Sequence, residues 1–518
     1  MALSELDACL LARFPGTRPP DWLRRWLDDG LGGVLLFAEN ITGPAQLRGL
    51  TADLRAHNPE VLIAADEEGG IVTRVEARTG SSYPGNDALG AVGDTGLTCR
   101  VAASIGAMLA AGGVNLDLAP TADVASNPAN PVIGVRSFGA DPGRVAAHTA
   151  AFVTGIQSNL VAACAKHFPG HGRADADSHV ELPVVAASLR ELSETDLAPF
   201  RAAIEAGVRS VMTAHVVFPA IDRVPATISR RFLAGLLRGE LGFGGVIITD
   251  ALGMAAIGDG AARANGAVRS LAAGADLLCL PAERAAQQRA RDTLAAAVRS
   301  GRLPSARLAE SAARVRALAA WARARPASQP DPSVGAEAAR RALLVDTATV
   351  PLPGPPYVLD AGGRMSSLLG DHAGSLLAVL RERDPAVAGV RLTEPRGSPG
   401  RPGGQIGPDG PVGPGGLEAL IARGAGRPLV LAVRDAHRGA WQRELVGRVL
   451  ARRPDAVVVG TGTPHDRNLA SGSYLGTRGA GRANLEAAAD ALLGRPGPAG
   501  TRRPAGPAGP GPAVEPSS

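Results

Sequence analysis

The chain has 518 residues, which exceeds the usual size of one hydrophobic core, so we expect two domains. Its 54 basic and 49 acidic residues nearly balance, with a net charge of +5, and this gives no reason to expect nucleic acid or an anionic membrane as a partner. The four cysteines, Cys9, Cys99, Cys164 and Cys279, are widely spaced, which argues against a disulfide framework or a cysteine metal site.

The N-terminal segment 1–16 lacks a basic stretch followed by a long apolar run. No apolar run reaches the length of about 18 residues that a membrane-spanning helix needs. We therefore expect a cytoplasmic protein without a secretory signal or a transmembrane segment.

From the start of the chain to about residue 320, apolar strand-like runs alternate with amphipathic helical stretches such as 144–157 and 226–240. This alternation predicts a parallel sheet with helical crossovers. Eight such runs fit an α/β fold of the closed (β/α)8 TIM-barrel type, and a doubly wound open sheet is the alternative. The eight runs are residues 10–14, 33–37, 61–66, 114–120, 161–168, 210–215, 245–251 and 276–281.

The rest of the chain reads as a smaller unit. Helix-like residues 305–326 close the first part, and apolar runs at 357–361, 428–435 and 456–462 alternate with helical stretches, as in a second α/β domain. The predicted division is a barrel at 1–326, a linker at 327–335, an α/β domain at 336–494 with a Gly/Pro-rich insert at 394–416, and a disordered tail at 495–518.

Polar residues stand at or near the C-terminal ends of the predicted barrel strands. In a (β/α)8 barrel these ends share one rim, and active sites are built there. A single strand-end polar residue usually just faces solvent, but a set of six indicates a site. The six residues are Asp66, Asp117, Lys166, His167, His215 and Asp250.

Lys166 is the only lysine in the chain, and all the other residues counted as basic are arginines. Arginine replaces a surface lysine easily, but it does not replace a compact point charge in a tight site. Lys166 is therefore a candidate functional residue.

The segment 165–183, AKHFPGHGRADADSHVELP, holds Lys166 and three histidines, His167, His171 and His179. A metal site is one interpretation, because His167 and His171 are four residues apart, but the Pro and Gly residues of the segment argue against the helix that this spacing would need. Proton transfer is the alternative, because Asp177 lies two residues from His179 and a carboxylate can stabilise a protonated imidazole.

Asp250 ends an otherwise apolar run in the segment 242–257, GFGGVIITDALGMAAI. A carboxylate at such a position is costly unless it has partners. It could be the N-cap of the next helix or a nucleophile at the barrel rim. Two further segments, 62–75 with Asp66 and Arg74 and 115–139 with Asp117, Asp123 and Arg136, combine acids with arginines, as expected around a polyhydroxylated ligand.

Together these segments resemble glycoside hydrolase family 3, in its β-N-acetylglucosaminidase branch of the two-domain type. The signature KHFPGHG followed by DSH is intact, and GGVLLFAENI, NPVIGVRSFG, MTAHVVFPAID and GFGGVIITDALGM match the family's other blocks in the same order. The resemblance covers residues 10–300 strongly and the second domain only weakly.

The resemblance implies a retaining exo-glycosidase that removes terminal β-linked N-acetylglucosamine by double displacement. It implies Asp250 as the nucleophile and His179, supported by Asp177, as the acid/base. It implies no cofactor and no metal, and a small glycan or muropeptide-type substrate from peptidoglycan recycling. Asp123 and Met254 would shape the pocket. The implied sugar-binding residues are Asp66, Arg74, Arg136, Lys166 and His167.

Two positions depart from the family's pattern. DEEGG stands where DQEGG is frequent, and Ala251 follows the predicted nucleophile where a second Asp is common. Neither departure removes an implied catalytic group, so they bear on substrate preference more than on reaction type. Two alternative activities stay open: an N-acetylglucosaminide phosphorylase, because a histidine acid/base repels phosphate less than a carboxylate would, and a family 3 β-glucosidase, against which the DSH dyad argues. A non-enzymatic carbohydrate-binding protein is disfavoured because Asp250 and His179 are both present.

Overall fold

The computed structural model describes residues 2–178, 181–254, 260–323, 328–362, 374–394 and 414–495. His179, most of the predicted insert (395–413) and the predicted tail from residue 496 onward lie outside these ranges.

The first sheet confirms the predicted barrel. Its eight strands are all parallel, they follow one another in the order β7-β6-β5-β4-β3-β2-β1-β8, and a bridge between Ile248 and Leu277 joins the last strand to the first. Every strand residue is buried, which explains why continuous apolar runs mark these strands. The strands are β1 Leu10–Ala12, β2 Gly33–Leu36, β3 Leu62–Ala65, β4 Leu116–Asp117, β5 Ala162–Phe168, β6 Ser210–Thr213, β7 Val246–Ile248 and β8 Leu278–Cys279.

Helices surround the barrel, and side-chain caps fix the start of several of them. Asp94 and Asp141 accept hydrogen bonds from the backbone N–H groups of Leu97 and Arg144, as N-cap residues do. The helices are α1 Ala2–Ala8, α2 Asp21–Asp28, α3 Pro44–His57, α4 Asn86–Val92, α5 Thr95–Gly112, α6 Pro142–Gln157, α7 Leu189–Glu194, α8 Ala198–Glu205, a π-helix Arg231–Glu240, α9 Gly260–Ala273, α10 Arg284–Arg299 and α11 Ser305–Trp321, with 3-10 turns at Ala38–Asn40, Gly134–Arg136 and Ala226–Ile228.

Helix α5 is long and apolar enough to cross a membrane by length and composition alone, and it is the one helix of this kind in the part of the chain that the structure describes. Its buried residues, among them Val101, Ile105 and Leu109, belong to the core of the barrel. The helix therefore packs as a core element here.

The helix α12, Pro332–Ala342, begins inside the range 327–335 that the sequence predicts as a linker. Asp331 caps it, and Pro332 occupies its first turn. A Cβ atom on Gly335 would lie 2.2 Å from the carbonyl oxygen of Ser82, so the helix is in direct contact with the barrel. Residues 332–335 are thus structured.

The second sheet lies within the range 336–494 that the sequence assigns to a separate domain. Its order is β11-β10-β12-β13-β14-β9, parallel except for the edge strand β9, with apolar clusters on both faces. The elements are β9 Leu344–Asp346, β10 Tyr357–Asp360, α13 Leu376–Arg383, β11 Ala388–Arg391, α14 Pro414–Arg423, β12 Leu429–Val433, α15 Ala440–Arg452, β13 Val457–Gly460, a 3-10 turn Pro464–Leu469, β14 Tyr474–Gly476 and α16 Arg482–Leu492.

Candidate active site

A network of buried charges occupies the rim of the barrel beyond β3 and β5. Lys166, the only lysine, lies with its Nζ atom 2.8 Å from Oδ1 of Asp66 and 2.7 Å from Oε1 of Glu68. Asp66 directly follows β3, and Lys166 lies within β5, so neighbouring parts of one rim supply both partners. The lysine side chain is 2% exposed, whereas Asp66 remains 16% exposed. The carboxylate of Asp66 is therefore the part of the network that solvent can reach.

Two arginines complete this network. Arg74 lies on the loop after β3 and approaches Oδ2 of Asp66 at 3.3 Å. Arg136 lies on the loop after β4 and donates two hydrogen bonds to Glu68, from Nε at 2.9 Å and from Nη2 at 2.7 Å. Three cations thus face two carboxylates, in a place where charge-assisted hydrogen bonds are strong.

The network keeps its charges at working pH. Burial alone would raise the pKa of Glu68, but the charges of Arg136 and Lys166 outweigh burial and hold that pKa well below its usual range. In the same way, burial would lower the pKa of Lys166, but Asp66 and Glu68 raise it above its usual range. The pKa of Asp66 is also lowered, because Lys166 and Arg74 outweigh its burial.

Two more carboxyl groups lie buried behind the network. Glu67 is fully buried, its Oε2 accepts the backbone N–H groups of Arg74 at 2.9 Å and Val75 at 3.0 Å, and its own N–H donates to Asp117 at 3.0 Å. Burial raises the pKa of Glu67 to about 7. Burial also raises the pKa of Asp117, with the nearby charge of Glu67 acting in the same direction. Glu67 therefore holds the loop segment from which Arg74 projects.

Asp123 joins two histidines, His167 within β5 and His171 just beyond it. Its Oδ2 lies 2.7 Å from Nδ1 of His167, and its Oδ1 accepts the backbone N–H of His171 at 2.6 Å. Asp123 itself is completely buried, and His167 is nearly so. A carboxylate in this position fixes the orientation of the imidazole ring of His167.

His171 also contacts the predicted acid/base segment. Its Nε2 atom lies 3.1 Å from Oγ of Ser178, the residue between Asp177 and His179 in the sequence. Both His171 and Ser178 are 2% exposed, and burial lowers the pKa of His171 to about 4, so the ring is neutral near pH 7. A neutral ring can donate or accept this hydrogen bond, depending on its tautomer.

Other contacts anchor the same loop at its base. Arg173 donates to Asp196 at 2.7 Å and to the hydroxyl of Thr195 at 2.6 Å. The amide group of Asn127 donates to the carbonyls of Arg173 and Ala174, and Asn130 binds this loop in the same way. Residues 171–174 are therefore held from two sides.

Asp250 follows β7 by two residues and is half-buried. Its Oδ1 accepts the backbone N–H of Ala251 at 2.7 Å. The carbonyl of Ala251 lies 3.1 Å from Nε2 of His215, whose Nδ1 binds the hydroxyl of Thr227 at 2.8 Å. The charge of Asp250 contributes to the pKa of His171, so the two residues lie within electrostatic range.

The structure brings the five predicted sugar-binding residues to one rim, while the position of His179 lies outside the described residues. Of the two residues predicted to shape the pocket, Met254 is buried and Asp123 contacts both His167 and His171. The sequence alone did not single out Glu68 or Ser178, and it marked His171 only as part of the histidine-rich segment 165–183. The lone lysine and Arg136 could have indicated Glu68, because two buried cations need a carboxylate close by.

No group of three or more His, Cys, Asp or Glu side chains within the described ranges has an arrangement that could hold a metal ion.

Comparison with known proteins gives a consistent result. The β-hexosaminidase of Pseudomonas aeruginosa is 41% identical over 285 residues, which cover 54% of this chain and 82% of that protein. A glycoside hydrolase family 3 β-N-acetylglucosaminidase from Paenibacillus sp. str. FPU-7 superimposes with a TM-score of 0.84 and 32% identity, covering 96% of this chain and 97% of that one. NagZ from Neisseria gonorrhoeae, in complex with N-trifluoroacetyl-D-glucosamine, gives a TM-score of 0.51 and 32% identity over 60% of this chain and 92% of that chain.

The match to a family extends over most of the barrel. Residues 13–318 correspond to the N-terminal domain of glycosyl hydrolase family 3. This range contains the ion network, the histidines around Asp123 and the strand end that carries Asp250. The chain is a glycoside hydrolase and belongs to glycosyl hydrolase family 3.

Proposed function

We propose that this enzyme is a retaining exo-glycosidase that removes a terminal β-linked N-acetylglucosamine residue by double displacement. The observation that carries the proposal is the buried ion network of Asp66, Lys166, Glu68 and Arg136, on the same rim as Asp250. The names of the relatives, β-hexosaminidase and β-N-acetylglucosaminidase, support this choice of sugar.

In this proposal the network binds the terminal sugar. Asp66 accepts hydrogen bonds from the sugar hydroxyls, and Arg74, Arg136, Lys166 and His167 donate to them. Because mutual ion pairs already hold the side chains in place, little conformational entropy is lost when the sugar binds. Glu68 carries no sugar contact here and instead keeps Arg136 and Lys166 in position.

The chemistry is assigned to Asp250 and the Asp177–His179 dyad. A carboxylate oxygen of Asp250 attacks the anomeric carbon while His179 donates a proton to the departing glycosidic oxygen. The product of this step is a glycosyl ester on Asp250. His179 then removes a proton from water, the water oxygen attacks the same carbon, and Asp250 leaves as a carboxylate. Asp177 stabilises the protonated form of His179.

A substrate panel tests this assignment. Purified enzyme is given an aryl N-acetyl-β-glucosaminide and the matching aryl β-glucoside, each with and without phosphate. We expect fast release from the N-acetylglucosaminide, no dependence on phosphate, and free N-acetylglucosamine as the product. Formation of a sugar 1-phosphate would instead identify a phosphorylase, and preference for the glucoside would identify a β-glucosidase.

We further propose small peptidoglycan fragments of the muropeptide type as natural substrates, and the cytoplasm as the place of action. The support is the resemblance to the β-N-acetylglucosaminidase branch. Incubation with a muropeptide digest tests the substrate, with mass spectrometry to detect free N-acetylglucosamine. Release from chitin fragments but not from muropeptides would contradict this choice.

A further inference from the structure

The second domain contacts the barrel behind the loop that carries Asp66 and Glu68. Residues 478–481, which we call the docking segment, follow β14 and make this contact. A Cβ atom on Gly481 would lie 2.7 Å from Cα of Gly70, so the two backbones touch. Ala480 is 1% exposed and lies in an apolar cluster with barrel residues, namely Ile71, Val72 and Val135.

The docking segment is fixed within its own domain. The hydroxyl of Thr477 donates to the carbonyl of Gly479 at 2.7 Å, and the amide of Asn484 donates to the carbonyl of Thr477 at 2.8 Å. Thr477 and Asn484 are both fully buried. These bonds tie the segment to the second domain, while Ala480 and Gly481 also bring it against the barrel loop.

On the barrel side, Gly70 lies between two backbones. Its N–H donates to the carbonyl of Tyr83 at 2.7 Å, and a Cβ atom on it would lie 2.7 Å from Gly85. Gly481 closes the opposite side. Two residues before Gly70, the N–H of Glu68 donates to the carbonyl of Val72 at 3.0 Å. The tight turn that presents Glu68 is thus confined between the barrel and the second domain.

A second contact reaches Arg136. Nη1 of Arg478 lies 3.3 Å from a carboxylate oxygen of Asp87. The neighbouring Asn86 donates from its amide to the backbone carbonyl of Arg136 at 2.7 Å. Glu68, Arg136 and the second-domain residues Arg478 and Gly479 line one small cavity. Both members of the Glu68–Arg136 pair are therefore supported from the second domain.

We infer that the docking segment is a positioning element of the sugar-binding site, which holds the Glu68–Arg136 pair in the geometry that binds the terminal sugar. This inference rests on the proposed function, in which Arg136 and Lys166 bind that sugar. It gives the second domain a role in glycosidase specificity without placing any of its residues on the substrate. Small displacements of such a pair are costly, since misplacement by about 1 Å can reduce the activity of an enzyme about a hundredfold.

The test widens the contact at Gly481. Its φ of −65° suits any residue, so Gly481→Ala and Gly481→Val are strained only by the contact with Gly70. Gly447→Ala is the matched control, because a Cβ atom at this second-domain glycine meets nothing within 4 Å. For each variant of the full chain we measure the inhibition constant of free N-acetylglucosamine, kcat and KM with an aryl N-acetyl-β-glucosaminide, and the thermal midpoint. Arg136→Ala is measured in parallel.

We expect the inhibition constant and KM to rise about tenfold in Gly481→Val, to rise less in Gly481→Ala, and to stay unchanged in Gly447→Ala. If Arg136→Ala weakens sugar binding but both Gly481 variants bind normally, the inference is wrong and the proposed function stands. A lower thermal midpoint with unchanged inhibition constants would also overturn it, because the segment would then be structural only. If Arg136→Ala itself binds N-acetylglucosamine normally, the proposed sugar site is wrong. Asp87→Asn, which removes the partner of Arg478, replaces Gly481→Val if that variant does not fold.

Discussion

The carboxylate of Glu68 accepts two hydrogen bonds from the guanidinium of Arg136, at 2.9 Å from Nε and 2.7 Å from Nη2. The same carboxylate lies 2.7 Å from Nζ of Lys166. A bidentate pair fixes both the position and the plane of a guanidinium group. Glu68 therefore determines the placement of two cations that we propose to bind the sugar.

Glu68→Gln should reduce kcat/KM strongly. The amide cannot neutralise two buried cations, and breaking a buried pair costs about 3–5 kcal/mol in stability or binding. Activity with the aryl N-acetyl-β-glucosaminide and the thermal midpoint are both measured. Glu60→Gln is the control, because Glu60 forms an exposed ion pair with Arg323 and such pairs contribute about 0–1 kcal/mol. Wild-type kinetics in Glu68→Gln would exclude the role given to this carboxylate.

Lys166→Ala and Arg136→Ala should each weaken transition-state binding by about 2–4 kcal/mol, the range for losing a buried charge-assisted contact. Lys166→Arg should also lose activity, because Nζ lies within 2.8 Å of both Asp66 and Glu68 and a guanidinium needs more room. Steady-state kinetics on all three variants check this. Full activity in Lys166→Arg would show that the chain has a lone lysine for some other reason.

The effect of substitutions in the acid/base loop should depend on the leaving group of the substrate. A leaving group of high pKa needs a proton as its bond breaks, and an activated aryl group hardly does. His179→Ala should therefore damage hydrolysis of a natural disaccharide far more than cleavage of an activated aryl glycoside. Asp177→Ala, His171→Ala and Ser178→Ala should also slow hydrolysis of the disaccharide more than cleavage of the aryl glycoside, but by a smaller factor.

His148→Asn is the control for this series. His148 is also buried and binds a hydroxyl, that of Thr98 at 2.8 Å, but it lies on α6 away from the rim. His148→Asn should change the rates with both substrates by the same factor. If His171→Ala also causes equal losses, the ring supports the fold and does not position the dyad.

The raised pKa of Glu67 should affect how the free energy of unfolding depends on pH. Its pKa is about 7 in the fold, against 4.5 ordinarily. Between these values the unfolded chain has lost the proton that the native state still holds, so rising pH lowers stability by up to about 1.4 kcal/mol per pH unit. Above pH 7 this contribution is constant. The thermal midpoint of Glu67→Gln, relative to that of the wild type, should therefore rise from pH 5 to 7. It should stay level from pH 7 to 9. A constant difference across this series would mean that Glu67 is ionised throughout.

Much of the barrel was predictable because a strand buried on both faces leaves a continuous apolar run. All eight predicted runs contain a strand, although β4 is only Leu116–Asp117 where the run spans 114–120. Pro120 lies in that run and has no N–H for the ladder. The start of α12 was not predicted because Pro332, Ser333 and Gly335 are residue types that are common in linkers.

The partners within the site were less predictable. Asp66, Lys166 and Arg136 could be singled out by residue type and position. The bond between Glu68 and Arg136 joins residues 68 positions apart, and no periodicity marks such a pair. The contact between Gly70 and Gly481 is even harder to predict from the sequence, because two backbones approach each other where neither residue has a side chain.

Retention through a glycosyl ester on Asp250 is tested by the configuration of the first product. Proton NMR follows an aryl N-acetyl-β-glucosaminide during the first turnovers, before the free sugar equilibrates. We expect that β-N-acetylglucosamine appears first, and that Asp250→Asn, a substitution at a half-buried rim position, abolishes its release. The α-anomer as first product, or near-normal turnover by Asp250→Asn, would contradict double displacement with Asp250 as the nucleophile.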